Sequence, residues 1–342
     1  MTGSSAPKPS HTISSAARSG RIACQRRVQA TILARTWPGW TRIGRHPRRD
    51  GLETTPAYHR AVPGSNGNAL TPGFAPTTRR GAMSGPIGLH GGGEYLDGDE
   101  PFLDALLAAA ARSAARRLAD FDVTGHSIGA PATTIRIVVV PTAASRGLPD
   151  RAASTGIEAF ERRAVTGGLA VRVDAARVVD AASAADDEIA VLIAAADLVH
   201  LPGGDPDLVP TILDGSQALA AIRRAWERGA VLAGASAGAM ALAEWTWTPR
   251  GGMRGLGFVR GLAVVPHYDD IRRTTWQQTI DRLAPGGIGY LGLDERTGVM
   301  AETNGNQPRR WLVSGPGAAW WFPRGGGESL VAHSGEVLRL PN

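Results

Sequence analysis

Val231-Leu-Ala-Gly-Ala-Ser-Ala-Gly-Ala-Met-Ala-Leu-Ala-Glu-Trp245 opens on small and apolar residues, bends at Gly234-Ala-Ser236-Ala-Gly238, and runs on into strongly helix-forming residues. The spacing predicts strand, sharp turn and helix, with a serine at the apex of the turn. Such a bend lets strand and helix pass closely only if the neighbours two positions before and two after are very small, and Gly234 and Gly238 supply that room. The Ser236 hydroxyl would then stand clear of the sheet edge at a helix N-terminus, where main-chain N–H groups can stabilise an oxyanion. Ser236 is therefore a candidate nucleophile. The same residues also fit a Gly/Ala-rich turn whose serine merely caps the helix.

Outward from this turn, strand-like and helix-like stretches alternate. Pro86-Ile-Gly-Leu-His-Gly-Gly-Gly-Glu94 predicts a first strand ending in a glycine-rich turn, and apolar residues recur at helical spacing from Glu100 to Leu118. Thr134-Ile-Arg-Ile-Val-Val-Val-Pro141 is a near-continuous apolar run, as in a strand buried on both faces of a parallel sheet. A helix over Gly156 to Val165, a strand over Leu169 to Val173 and a helix over Asp186 to Ala196 follow. Leu198-Val-His-Leu-Pro-Gly-Gly-Asp205 reads as strand and turn, and Asp207 to Arg228 as helix. The alternation predicts an α/β fold: a doubly wound, mainly parallel sheet with helices on both faces, whose ligands sit at the carboxyl ends of the strands. Beyond the turn, Gly261-Leu-Ala-Val-Val-Pro-His267 is a strand ending on a histidine, and Asp270 to Leu283 a helix. Tyr290 to Met300 is a strand pair or bend. The remaining short strands predict a C-terminal antiparallel extension covering one edge of the sheet.

The 342 residues divide sharply by charge. Residues 1–82 hold 13 Lys/Arg against two acids, which leaves 24 basic and 29 acidic groups for residues 83–342. The first part is a basic leader rich in Ser, Arg, Pro and Gly, without apolar periodicity, and its composition predicts disorder. Met83 stands just before the first strand and is a plausible true start, so the leader need not be translated; a transit peptide or a basic arm are the other readings. Residues 83–342 are expected to form a single α/β serine hydrolase domain, mildly acidic and without a nucleic-acid role. Cys24 is the only cysteine and lies in the leader, so no disulfide framework or cysteine metal site is available. No apolar run approaches the length of about 20 residues that spans a bilayer, and no signal-peptide core follows Met1. The expectation is a cytoplasmic enzyme without metal or cofactor, acting on a small peptide, with a homodimer left open.

A serine attacks a carbonyl only when a base takes its proton and a third group holds that base. His267, at a strand end like Ser236, is the candidate base, expected at the same rim of the sheet. Glu295 and Asp294, adjacent in Leu293-Asp-Glu-Arg-Thr297, are the candidate acids. Oxyanion donors are expected from the N–H groups of Ala237, next to the nucleophile, and of Gly204. Gly203 and Asp205 of the same turn are candidate substrate contacts, and Gly91 to Gly93 a candidate wall of the site. Arg272 and Arg273 follow the histidine, and a guanidinium there could clamp a substrate carboxylate.

Five stretches line up in order: Gly-Gly-Gly-Glu94, Leu201-Pro-Gly-Gly-Asp-Pro206, the Gly234 to Gly238 turn, Val265-Pro-His-Tyr268 and Gly292-Leu-Asp-Glu295. Together they resemble the S51 serine peptidases, the family of peptidase E and cyanophycinase, over residues 85–342. The resemblance implies a class I glutamine amidotransferase-like fold in which serine replaces cysteine, and metal-independent hydrolysis of short peptides or isopeptides next to aspartyl residues. It assigns Ser236 as nucleophile, His267 as base, and Gly204 and Ala237 as oxyanion donors. Where peptidase E has been assigned an aspartate, this chain has Thr248-Pro-Arg-Gly251 without an acid, so Glu295 is the favoured orienting group.

Two alternatives use the same residues differently. An α/β-hydrolase-type esterase would take His90-Gly-Gly-Gly93 as its oxyanion loop and Asp294 with His333 as acid and base, although that loop lies over 140 residues before the serine. A catalytically silent amidotransferase-like binding module would keep the glycine-rich rim and lack turnover.

Overall fold

The structure is a computed structural model that describes residues 84–119, 133–248, 251–271, 273–303, 307–325 and 327–341, with Thr248 described for its main chain only. The basic leader therefore lies outside the described residues. Two β-sheets and a hairpin carry the architecture, and the larger sheet is the predicted one. Its strands are β1 (Ile87–His90), β2 (Ile135–Val139), β3 (Val171–Ala175), β4 (Leu198–Leu201), β5 (Val231–Ala235), β10 (Gly298–Ala301), β11 (Arg310–Ser314) and β14 (Val337–Arg339). They stand in the order β14-β11-β10-β1-β5-β4-β2-β3. The five strands from β1 to β3 run parallel, and β10, β11 and β14 add antiparallel beyond β1. β1, β4 and β5 are buried at every position, as strands with neighbours on both sides and cover on both faces must be. β3 is the edge, and its Arg172 and Asp174 pair with each other at 2.8 Å on the outside.

Helices α1 (Glu100–Ala119) and α2 (Pro149–Thr166) cover one face. Phe102, Leu106, Leu107, Ala159 and Phe160 pack there against Ile135, Ile137, Val139, Val231 and Ala233. The alternate positions Val138, Val199 and Leu232 are equally buried and point the other way. That face carries α3 (Ala181–Ala184), α4 (Asp187–Ala194), α5 (Leu208–Leu213) and α6 (Gln217–Glu227). The single helix expected over Asp207 to Arg228 is thus two. Ser216 restarts the chain as an N-cap, its hydroxyl accepting from the Leu219 N–H at 3.1 Å.

The helix after the serine turn is also shorter than its sequence suggests. α7 spans only Ala237–Leu242, all six residues buried, and the chain then enters the hairpin β6 (Trp245–Thr248) and β7 (Gly251–Arg254). Gly252 makes this hairpin tight, since a Cβ there would stand 2.0 Å from the Trp245 ring.

The second sheet holds β8 (Leu262–Val265), β9 (Gly289–Leu293), β12 (Ala318–Phe322) and β13 (Leu330–His333), in the order β13-β12-β9-β8. β8 and β9 are parallel and joined by α8 (Arg273–Leu283). Two expectations change here. The C-terminal strands do not all extend the main sheet, because β12 and β13 belong to the smaller one. The strand leading to His267 also belongs to the smaller sheet, so His267 and Ser236 do not rise from a common sheet. The turn Asp294 to Thr297 joins β9, an inner strand of the smaller sheet, to β10, the first antiparallel strand of the larger one.

Candidate active site

The carboxyl ends of β1, β4 and β5 are level, because Leu89 pairs with Gly234 and Gly234 with Leu201. The three glycine-rich turns that follow therefore arrive at one rim, and the Ser236 N–H extends the ladder by donating to the His90 carbonyl at 2.9 Å. At the bend, a Cβ on Gly238 would lie 2.0 Å from the Leu201 carbonyl oxygen, and one on Gly234 would lie 2.5 Å from Gly238. Helix and strands touch here through bare main chain. The bend forces Ser236 to φ 48°, ψ −113°, a left-handed conformation that costs a non-glycine residue about 1–3 kcal/mol. Its hydroxyl makes no helix-capping bond. It lies instead 3.1 Å from Nε2 of His267.

His267 is held from both sides. Its own backbone is left-handed at φ 52°, and its N–H donates to the Gly91 carbonyl at 2.7 Å. Nδ1 of its ring lies 2.8 Å from Oε1 of Glu295. A carboxylate can only accept, so the Nδ1 proton belongs to this bond; in the neutral ring Nε2 is then the lone pair that faces the Ser236 hydroxyl. The hydrogen bond from His267 holds the Glu295 carboxyl below its ordinary pKa against the opposing effect of burial. Glu295 is fixed in turn by its own N–H, which donates to Asp269 at 2.9 Å. Side-chain exposure of 20% for His267 and 41% for Glu295 leaves the pair open to substrate and water.

Asp294 serves elsewhere. It accepts from the Ala318 N–H at 2.8 Å and the Trp320 indole at 3.3 Å, and burial raises its pKa. His333 sits exposed at the end of β13, its N–H donating to Glu336 at 2.8 Å. The pairing of Asp294 with His333 that an esterase would need is not formed, and the ring that reaches Ser236 is that of His267.

The remaining candidates separate. Gly91 to Gly93 do form a wall: the Gly91 N–H donates to Thr297 and the Gly92 carbonyl accepts from Arg296, so the loop lies between His267 and the Glu295 turn. Ala237 supplies the first helical amide after Ser236 and is buried. Gly204 is exposed beside the site at φ 152°, and no hydrogen bond to its N–H is found among the described residues. Gly203 differs, since its N–H donates to Oε1 of Glu94 at 2.9 Å. Asp205 is engaged within its own loop, accepting from the Asp207 N–H at 3.1 Å and lying 3.7 Å from Arg146. Arg273 opens α8, and its charge acts on Tyr268 and Asp294. Arg272 lies outside the described residues.

Two residues were missed from sequence. Asp269 and Glu94 bear directly on the site, and each directly follows or ends a stretch singled out for other reasons, Val265 to Tyr268 and the Gly91 to Gly93 turn. Their only sequence signal is an acid just past a strand-end motif. Among the described residues no cluster of three His, Cys, Asp or Glu side chains is placed to hold a metal ion, and no helix is long and apolar enough to cross a membrane.

Residues 128–306 match the model of peptidase family S51. Among solved structures, a crystal structure of a peptidase from an acI-B1 Actinobacterium shares the fold, with a TM-score of 0.60 at 24% identity, covering 76% of this chain and 98% of that one. A candidate peptidase E protein from Listeria monocytogenes EGD-e matches with a TM-score of 0.41 at 13% identity, over 68% of this chain and 100% of that one. No curated protein matches.

Proposed function

The chain belongs to peptidase family S51, and from that membership and the geometry at Ser236 we propose a serine-type peptidase that cleaves short peptides or isopeptides next to aspartyl residues through an acyl-enzyme. The observation that carries the serine mechanism is one chain of contacts: a hydroxyl withheld from helix capping, 3.1 Å from an imidazole whose other nitrogen is 2.8 Å from a carboxylate. In this reading His267 Nε2 takes the hydroxyl proton as Ser236 Oγ attacks the scissile carbonyl carbon. The N–H groups of Ala237 and Gly204 stabilise the oxyanion of the tetrahedral intermediate. The imidazolium, steadied by Glu295, gives its proton to the leaving amine as the C–N bond breaks. Water then attacks the ester carbon while His267 takes its proton, and that proton passes to Ser236 Oγ as the C–O bond breaks and the acid product leaves.

The aspartyl preference rests on the resemblance of the five stretches to S51 peptidases, and Arg273 at the start of α8 is a cation suited to a substrate carboxylate. The test is a panel of Asp-Xaa dipeptides and β-aspartyl-arginine assayed with the wild type and Ser236→Ala, together with labelling by a fluorophosphonate. Turnover and labelling that both vanish in Ser236→Ala support the reading. Turnover that survives in the variant overturns it.

A further inference from the structure

Glu94 is the acid that the serine mechanism leaves without a task. It follows the Gly91 to Gly93 wall, in a loop pinned at its base by the buried contact of His90 Nε2 with Asp99 Oδ1 at 2.8 Å and by the Tyr95 N–H on Asp99 at 2.8 Å. The loop therefore delivers Glu94 to a fixed place. One carboxylate oxygen accepts from Gly203 at 2.9 Å, and no other hydrogen bond or ion pair to Glu94 is found among the described residues. The position where a Gly203 Cβ would stand lies 3.0 Å from Oε1 of Glu94 and 3.2 Å from Cβ of Ser236. Carboxylate and serine side chain thus both border the one small space beside Gly203.

A negative charge at that distance opposes the oxyanion that must form beside Ser236, unless the substrate brings a compensating cation. The α-ammonium of a peptide's first residue is such a cation, separated from the first carbonyl carbon by only two covalent bonds. A peptide whose first carbonyl meets Ser236 Oγ carries its ammonium within reach of Glu94. We propose that Glu94 binds the free α-ammonium of the residue whose carbonyl Ser236 attacks, and so restricts cleavage to the first bond of the chain. This rests on the serine peptidase reading. It adds the residue that sets where along a peptide the enzyme cuts. The Gly203 bond fits the same role, since it aims the second carboxylate oxygen while sparing the neighbouring Gly204 N–H for the oxyanion.

The experiment compares aspartyl and alanyl p-nitroanilides with free and with acetylated amines, in the wild type, E94Q and E94D, and follows fluorophosphonate labelling of Ser236 in each. Glutamine keeps an oxygen for the Gly203 N–H and removes the charge. The wild type is expected to prefer the free amine by about a hundredfold in kcat/KM, E94Q to lose most of that preference through a raised KM, and E94D to keep part of it. Equal use of free and acetylated substrates by the wild type overturns the proposal, as does a preference preserved in E94Q. A loss in E94Q that is proportionate for both substrates also overturns it, and assigns Glu94 to positioning of the Gly203 turn. A wild type that is neither labelled nor active on any of the substrates defeats the serine reading itself and this inference with it.

Discussion

The imidazole of His267 rests on the bare main chain of Gly92: a Cβ on that glycine would lie 2.3 Å from ring atom Cε1 and 2.7 Å from Nε2. Gly92 is also at φ 99°, where side chains are strained. Gly92→Ala should therefore push the ring off Ser236 while leaving the sheets paired. A misplacement of about 1 Å is worth about a hundredfold in rate. Steady-state kinetics should show a fall in kcat of that order, with a circular dichroism spectrum like the wild type's. An alanine variant with undiminished kcat would mean that the ring is not seated on this loop during turnover.

Glu295 fixes which ring nitrogen carries the proton. Glu295→Gln removes the obligatory acceptor and permits the opposite tautomer, with Nε2–H turned uselessly toward Ser236. Loss of about 10³-fold in kcat is expected. The bond from His267 lowers the Glu295 pKa, so its contribution is complete above the ordinary carboxylate value and fades only as pH falls through the lowered one. The ratio of wild-type to Glu295→Gln rates should accordingly stay constant from neutral pH down to about pH 5.

The left-handed backbone of Ser236 is a cost of function that glycine would not incur. Ser236→Gly and Ser236→Ala both lose the hydroxyl and should both be inactive. They differ in strain, and urea unfolding should show the glycine variant more stable than the alanine variant by about 1 kcal/mol. Equal stabilities would mean that the surrounding turn relaxes around alanine.

His200 predicts an acid weakness. It is 1% exposed, its two ring nitrogens have no hydrogen-bond partner among the described residues, and its ring packs on Phe160 and Tyr95. Burial, followed by the charge of His90, pushes its pKa down to about 3. The unfolded chain thus takes up a proton near the ordinary value of about 6.5 while the folded one does not, so this residue destabilises the fold progressively as pH falls between those values. The slope from one such group is at most about 1.4 kcal/mol per pH unit. Urea melts at pH 7 and pH 5 should show a smaller acid loss in His200→Phe than in the wild type.

Legibility from sequence follows the range of the forces involved. The bend at Ser236 can be read because its steric demand is local: two glycines and a serine within five residues leave few other conformations. The partners of that serine are harder. His267 is recognisable as a histidine at a strand end, but four apolar residues such as Leu262 to Val265 do not say which sheet they join, and they join the smaller one. Asp294 and Glu295 are indistinguishable as neighbours in a turn. Only the capture of Asp294 by Ala318 and Trp320 separates them. The Trp245 hairpin is hidden because the Ala-rich run before it reads as an uninterrupted helix, and Glu94 because its partner Gly203 lies 109 positions along the chain.

The division of labour between the two sheets has one more implication. Ser236 descends from the eight-stranded sheet, whereas His267 and Glu295 hang from the end of the four-stranded one and from the turn that joins them. An inactive form of this protein need not be an unfolded one. In the proposed mechanism a slide of the smaller sheet by about an ångström would silence the hydroxyl while every strand kept its neighbours, so the expected order on heating is loss of turnover before loss of the secondary-structure signal.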